Sequence, residues 1–78
     1  MRTVIAKFIA DELLPGKGID EVGFDESLID SGILDSLALV RLITFVEDRF
    51  AITVRDDDVV PENFQTIGAI EAYIRKKL

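Results

Sequence analysis

The feature that most constrains this chain is the run from Ser36 to about Phe50, where Leu39, Leu42, Ile43, Val46 and Phe50 recur every three to four residues. At ~100° per residue those positions fall within roughly a third of a helix circumference. The segment therefore predicts a long amphipathic helix with one face to bury. Ala38 and Phe45 lie on its flank, Leu37, Arg41, Thr44 and Asp48 point away from the core, and Val40 sits at the edge. Such a helix needs other striped helices to pack against, and two more are present. Thr3 is placed to cap a first helix carrying Val4, Ile5, Phe8, Ile9 and Leu13, which Pro15 and Gly16 stop. Thr66 caps a last helix carrying Ile67, Ile70, Ile74 and Leu78, with Tyr73 flanking and Arg75, Lys76 and Lys77 suited to its negative end. The last turn of the first helix is its weakest part. Asp11 and Glu12 sit where the helix dipole disfavours them, and Glu12 falls on the apolar stripe.

Between the first two helices, Pro15 to Asp35 offers no long element. Loops above ~12–15 residues are uncommon in compact domains and are usually functional or mobile. Here Val22, Phe24, Leu28, Ile29, Ile33 and Leu34 are expected to pin the loop across the bundle, leaving its acids outside. Asp25 to Leu28 could start one helical turn that Gly32 ends. Further on, Ala51-Ile52-Thr53-Val54 is β-branched but has no partner strand, so it reads as an extended connector. Asp56-Asp57-Asp58 begins a brief helix that Pro61 breaks. The expected architecture is all-α: a small antiparallel four-helix bundle, three helices main and one short, with a long loop after helix 1. It forms one domain over residues 1–78.

A chain of 78 residues buries only ~60–65% of its unfolded surface, so its core is marginal without a staple. Cysteine and histidine are both absent, so neither a disulfide nor an ordinary zinc site supplies one. Stability must come from helix packing. Neither a membrane span nor a basic-then-apolar leader is visible, and with the lack of cysteine this fits the cytoplasm. Fifteen acids against nine bases give a net charge of −6, and Lys17 is the one base from Asp11 to Asp35. Such a surface repels phosphate backbones and favours proteins with basic patches, so nucleic acid is not an expected partner. The bland account, acidity for solubility, explains the charge equally well.

Autonomous catalysis has little to work with. Serine hydrolysis needs a base, usually His, and Lys7, Lys17, Lys76 and Lys77 all look solvated. Paired carboxylates need a concave pocket that a bundle of this size scarcely offers. Gly16-Lys17-Gly18 is not a phosphate loop, and Asp56-Asp57-Asp58 lacks the spacing and glycine of an EF-hand. Ser27 and Ser31 are most simply turn or cap residues.

Ser36 differs. Asp35 before it is already a good N-cap, which leaves Ser36 at the first helical position with its hydroxyl outward and free. An anion attached there would sit at the positive end of the helix, worth ~0.3–1 kcal/mol at a surface. The plain alternative is that Ser36 is itself only a helix-start residue.

The stretch Leu28-Ile29-Asp30-Ser31-Gly32-Ile33-Leu34-Asp35-Ser36-Leu37, followed by the apolar helix, resembles the acyl and peptidyl carrier proteins. Val60 to Ile67 is similar to that family's lead-in to its last helix, and the resemblance spans essentially the whole chain. It implies a non-catalytic carrier, in which a phosphopantetheinyl transferase esterifies Ser36 with 4′-phosphopantetheine from coenzyme A. The thiol of the arm would hold an acyl or aminoacyl group as a thioester for successive enzymes in fatty-acid, polyketide or other specialised acyl metabolism. Asp35 is the motif acid. Leu37 and Val40, with Arg41 and Thr44, would form a docking face, although Leu37 could instead be part-buried against Ile33 or Leu34.

Two departures matter. Carriers of fatty-acid synthesis usually place acids just after the serine, whereas Ala38 and Arg41 stand here. Gly32 also lies one residue further from the Asp-Ser pair than usual, a spacing similar to stand-alone carriers loaded by adenylate-forming ligases, including D-alanyl and aminoacyl carriers. The expectation is a dedicated, monomeric carrier outside housekeeping fatty-acid synthesis. The competing readings are an unmodified helical interaction module presenting Leu37 and Val40, and an acidic calcium-responsive protein resting on Asp56 to Asp58.

Overall fold

The structure, a computed structural model, describes residues 1–18 and 21–78; Ile19 and Asp20 of the expected loop lie outside the described residues. Helix α1 covers Arg2–Phe8 and runs into one wider π turn, Ile9–Leu13. Helix α2 covers Ser36–Phe50, a 3₁₀ turn covers Asp56–Asp58, α3 covers Pro61–Phe64 and α4 covers Ile67–Lys77. The molecule is a small helical bundle, as the three stripes require. Ile5, Ile9, Leu13, Leu28, Ile33, Leu42, Val46, Phe64, Ile70 and Ile74 form its buried centre.

The first helix departs from expectation at both ends. Its cap position is Met1, so Thr3 lies inside the helix and is exposed. At the other end the Leu14 N–H donates to the Ile9 carbonyl, five residues back, at 3.0 Å. That extra residue in the turn lets Leu13 and Leu14 both be buried and swings Glu12 off the apolar stripe into solvent. The unfavourable acids are answered individually: Lys7 Nζ meets Asp11 Oδ2 at 2.8 Å, and Arg41 meets Glu12. Gly16 then turns the chain at φ +84°, where a side chain would be strained.

Helix α2 has the predicted bounds, with its core face rotated towards Ala38. Ala38, Leu42 and Val46 are buried, while Leu39, Ile43, Phe45 and Phe50 are partly covered. Ala38 belongs to the core because its small side chain lets the first turn of α2 approach the loop. Ala51 ends the helix in the left-handed region at φ 55°. The connector that follows is extended, and the Val54 N–H donates to Glu47 Oε2 at 2.9 Å in place of a strand partner.

Two other expectations are corrected. Pro61 does not break a helix; it occupies the first turn of α3, where its missing N–H costs nothing. The short α-helix is therefore Pro61–Phe64, and the preceding acids form only the 3₁₀ turn. Leu78, assigned to the last stripe, is 71% exposed because the helix has run past the core by that point. Tyr73 is buried rather than flanking. Thr66 does cap α4, its Oγ1 accepting from the Ala69 N–H at 2.9 Å.

The long loop is held by its apolar residues and by backbone bonds to α3 and α4. The Leu28 N–H donates to the Gln65 carbonyl at 2.7 Å, and the Gly68 N–H donates to the Phe24 carbonyl at 3.2 Å. Leu28, Ile33 and Leu34 are buried and Val22 and Phe24 partly so, but Ile29 is 39% exposed. Ser27 and Ser31 serve the turn: Ser27 Oγ accepts from the Asp30 N–H, and the Ser31 hydroxyl donates to the Leu28 carbonyl. Gly32, at φ +81°, redirects the chain towards α2. Among the described residues no helix is long and apolar enough to cross a membrane.

Candidate functional site

The site is the junction between this loop and α2. Asp35 has extended backbone, φ −89° and ψ −175°, and its Oδ1 accepts from the Ala38 N–H at 2.8 Å. Its carbonyl accepts the first α-helical bond, from the Leu39 N–H at 2.9 Å. Asp35 thus does the capping, and Ser36 begins the helix with an exposed side chain. Buried Ile33 and Leu34 on one side and Ala38 on the other fix the backbone around that hydroxyl.

Lys17 is exposed, in keeping with its reading as a solvated base, and its Nζ lies 4.0 Å from Asp35 Oδ2, the oxygen that the cap leaves over. The only sequence signal for this contact is that Lys17 is the lone base in an acidic stretch.

The residues assigned to a docking face lie together along the exposed side of α2. Leu37 is 70% exposed and Val40 60%, so Leu37 is not tucked against Ile33 or Leu34. Thr44 is also exposed, one turn beyond Val40. Arg41 is less available. Its guanidinium donates to the Glu12 carbonyl at 3.1 Å and to Glu12 Oε1 at 3.0 Å.

Beside Ser36 lies a cleft of about 230 Å³. Ile29, Leu34 and Leu39 line it together with Val59, Pro61 and Phe64. The exposed Ile29 is therefore a lining residue of this cleft. Val59 and Pro61 carry no sequence signal for such a role, since only tertiary packing brings the 56–61 segment against the start of α2.

What this junction can do is accept a substituent. It holds an exposed hydroxyl with no hydrogen-bond partner among the described residues, the positive end of a fifteen-residue helix, and an apolar cleft alongside. An anionic ester at Ser36 with an apolar group beyond it fits these features. Elsewhere the Asp58 carboxylate is engaged by Tyr73 and Lys77. No group of three or more acid, His or Cys side chains able to hold a metal occurs among the described residues.

Residues 5–74 match the family model described as the phosphopantetheine attachment site. The acyl carrier protein of Desulforapulum autotrophicum is 42% identical over 73 residues, 94% of this chain and 91% of that one. That of an Exiguobacterium species is 34% identical over 74 residues, 95% of this chain and 89% of that one. A chain in a crystal structure described as an FAD-dependent dehydrogenase superposes with a TM-score of 0.80 at 28% identity, covering 90% of this chain and 97% of that chain. A chain in the structure of the Bradyrhizobium japonicum glycine:[carrier protein] ligase complexed with glycylated carrier protein gives a TM-score of 0.72 at 31% identity, covering 91% and 95%.

Proposed function

The chain belongs to the phosphopantetheine-attachment family of acyl carrier proteins, and on that premise we propose that Ser36 is the residue bearing the arm. The protein is a non-catalytic carrier whose cofactor is covalent 4′-phosphopantetheine. The observation that carries the assignment is the free Ser36 hydroxyl at the first position of α2, released from capping by Asp35. The arm supplies a thiol on which an acyl or aminoacyl group is held as a thioester. In the attachment step Ser36 Oγ bonds to the phosphorus nearer the pantetheine, the pyrophosphate bond of coenzyme A breaks, and the adenosine bisphosphate leaves. The serine proton passes to a base on the transferase, since this chain has no His.

Leu37, Val40 and Thr44 then form the docking face for the transferase, the loading ligase and the processing enzymes, while Arg41 contributes its charge when it leaves Glu12. The carrier works as a monomer of one domain in the cytoplasm, serving acyl metabolism outside housekeeping fatty-acid synthesis. A second reading, an aminoacyl carrier charged by an adenylate-forming ligase, is favoured by the likeness to the glycylated carrier and by Arg41 where an acid is usual. A cleft of about 230 Å³ also suits a small cargo, being below the ~300–1,000 Å³ of pockets for drug-sized ligands.

Incubation with coenzyme A and a broad-specificity phosphopantetheinyl transferase tests the assignment by mass. One added arm on the natural chain and none on Ser36→Ala is the expected result. An arm that survives Ser36→Ala overturns it. Mass analysis of the holo-protein from its native cell then identifies the cargo.

A further inference from the structure

The wall of the cleft formed by Val59, Val60 and Pro61 belongs to a short link between the 3₁₀ turn and α3. It is anchored by the last helix, α4. Asp58, just before the wall, accepts from the Tyr73 hydroxyl at 2.7 Å and pairs with Lys77 Nζ at 3.3 Å, both through Oδ2. Its carbonyl accepts from Asn63 Nδ2 at 2.8 Å and from the Val60 N–H at 2.9 Å. Tyr73 is buried, so its hydroxyl needs that acceptor. The same ring packs against Phe64, a lining residue of the cleft, with centroids 5.6 Å apart. One tyrosine therefore holds the residue just before the wall and a lining residue that follows it.

We propose that Tyr73, Asp58 and Lys77 are positioning residues that set the width of the cleft beside Ser36 and so decide how well a cargo is sheltered there. The inference rests on Ser36 bearing the arm. Removing the Tyr73 hydroxyl leaves the phenyl packing in place and takes from Asp58 its shortest bond to α4, leaving Lys77, so the tether of the wall is weakened while the core stays filled.

The test uses the natural chain and the Tyr73→Phe and Asp58→Asn variants, each loaded with acetyl or hexanoyl pantetheine from the corresponding coenzyme A thioester. Mass analysis first establishes the single arm on Ser36. Hydroxylamine cleavage of the thioester is then timed for both chain lengths. In the natural protein the hexanoyl thioester is expected to be cleaved several-fold more slowly than the acetyl. Tyr73→Phe accelerates the hexanoyl reaction and leaves the acetyl one unchanged; Asp58→Asn, which loses the charge facing Lys77 but keeps an amide oxygen for the Tyr73 hydroxyl, accelerates it less. Gly68→Ala, which perturbs the bundle elsewhere, keeps the natural ratio, separating positioning from general loosening. Methyl NMR of the unmodified protein should show Val59 and Val60 shifting in Tyr73→Phe. An arm present with the same acetyl-to-hexanoyl ratio in all variants overturns the tether alone. No chain-length dependence in the natural protein also overturns it, and absence of the arm overturns the carrier assignment and the tether together.

Discussion

Arg41, on the outer side of α2, grips both the backbone carbonyl and the carboxylate of Glu12, twenty-nine positions earlier, at 3.1 and 3.0 Å. The contact ties α2 to the π turn that ends the first helix. Both side chains are about half exposed, so the pair contributes ~0.5–1 kcal/mol at most. In a domain of this size that is a fall in Tm of roughly 2–8 °C. Arg41→Ala should show it in full and Glu12→Ala, which keeps the carbonyl bond, in part, with the double variant no worse than Arg41→Ala. Arg41→Glu should fall further through repulsion from Glu12, and Glu12→Arg in the same chain should restore it. Thermal melts of the set decide the matter; simple additivity of the two alanine variants would deny the coupling.

Leu37 makes a contrasting prediction. At 70% exposure it touches little of the core, so Leu37→Asp should change stability by no more than ~0.5 kcal/mol. On the proposal that it belongs to a docking face, the same change should nevertheless raise the KM of the transferase for the carrier several-fold, with kcat less affected. Steady-state transfer kinetics beside a thermal melt measure both. An unchanged KM removes Leu37 from the docking face.

Gly68 lies where the loop meets α4. A Cβ there would stand 2.8 Å from Phe24 Cε2 and 2.9 Å from Cζ, closer than atoms pack. A retreat of the ring would disturb the Arg2 guanidinium, which lies over it at 3.9 Å, and the Gly68 N–H holds the Phe24 backbone in place through its carbonyl. Overpacking of this kind costs ~1–3 kcal/mol, against ~0.5–1 kcal/mol gained from replacing a helical glycine. Gly68→Ala should therefore destabilise the natural chain. In a Phe24→Ala background the same change should stabilise, because only the helix gain remains. Denaturant midpoints of the four proteins read the change of sign.

Tyr73 is the chain's single tyrosine, and there is no tryptophan, so tyrosinate absorbance reports on it alone. Burial, then the Asp58 carboxylate, pushes its pKa from 10.0 up to about 12, with Glu47 adding to the rise and Arg55 opposing it. Above pH 10 the unfolded chain loses the phenolic proton first, so stability should fall as pH rises from about 10 towards 12. At the acid end, the Tyr73 hydroxyl and then Lys77 and Arg55 hold Asp58 below its ordinary 3.8. Its contribution is complete above that value and is lost as pH falls through the lowered one. Absorbance titration and melts across pH check both limbs; a Tyr73 midpoint near 10 would contradict the hydrogen bond to Asp58.

What the sequence determined by itself was whatever acts within a few residues. Asp35 and Thr66 each bond an N–H three residues on, and the α2 stripe repeats every turn, so the bounds of α2, the start of α4 and the outward Ser36 could be read directly, whereas the ends of α1 could not. The family resemblance was legible for the same reason, since its motif is a continuous stretch ending at Leu37. Tertiary structure alone decided the rest: the burial of Ala38, the approach of Lys17 to Asp35, the clasp of Arg41 on Glu12 and the tether from Tyr73 to Asp58. These contacts join segments far apart in the chain, and their geometry depends on how the helices rotate as they pack. The π turn shows why. One residue added to one turn brought Leu14 into the core and swung Glu12 out to where Arg41 could reach it.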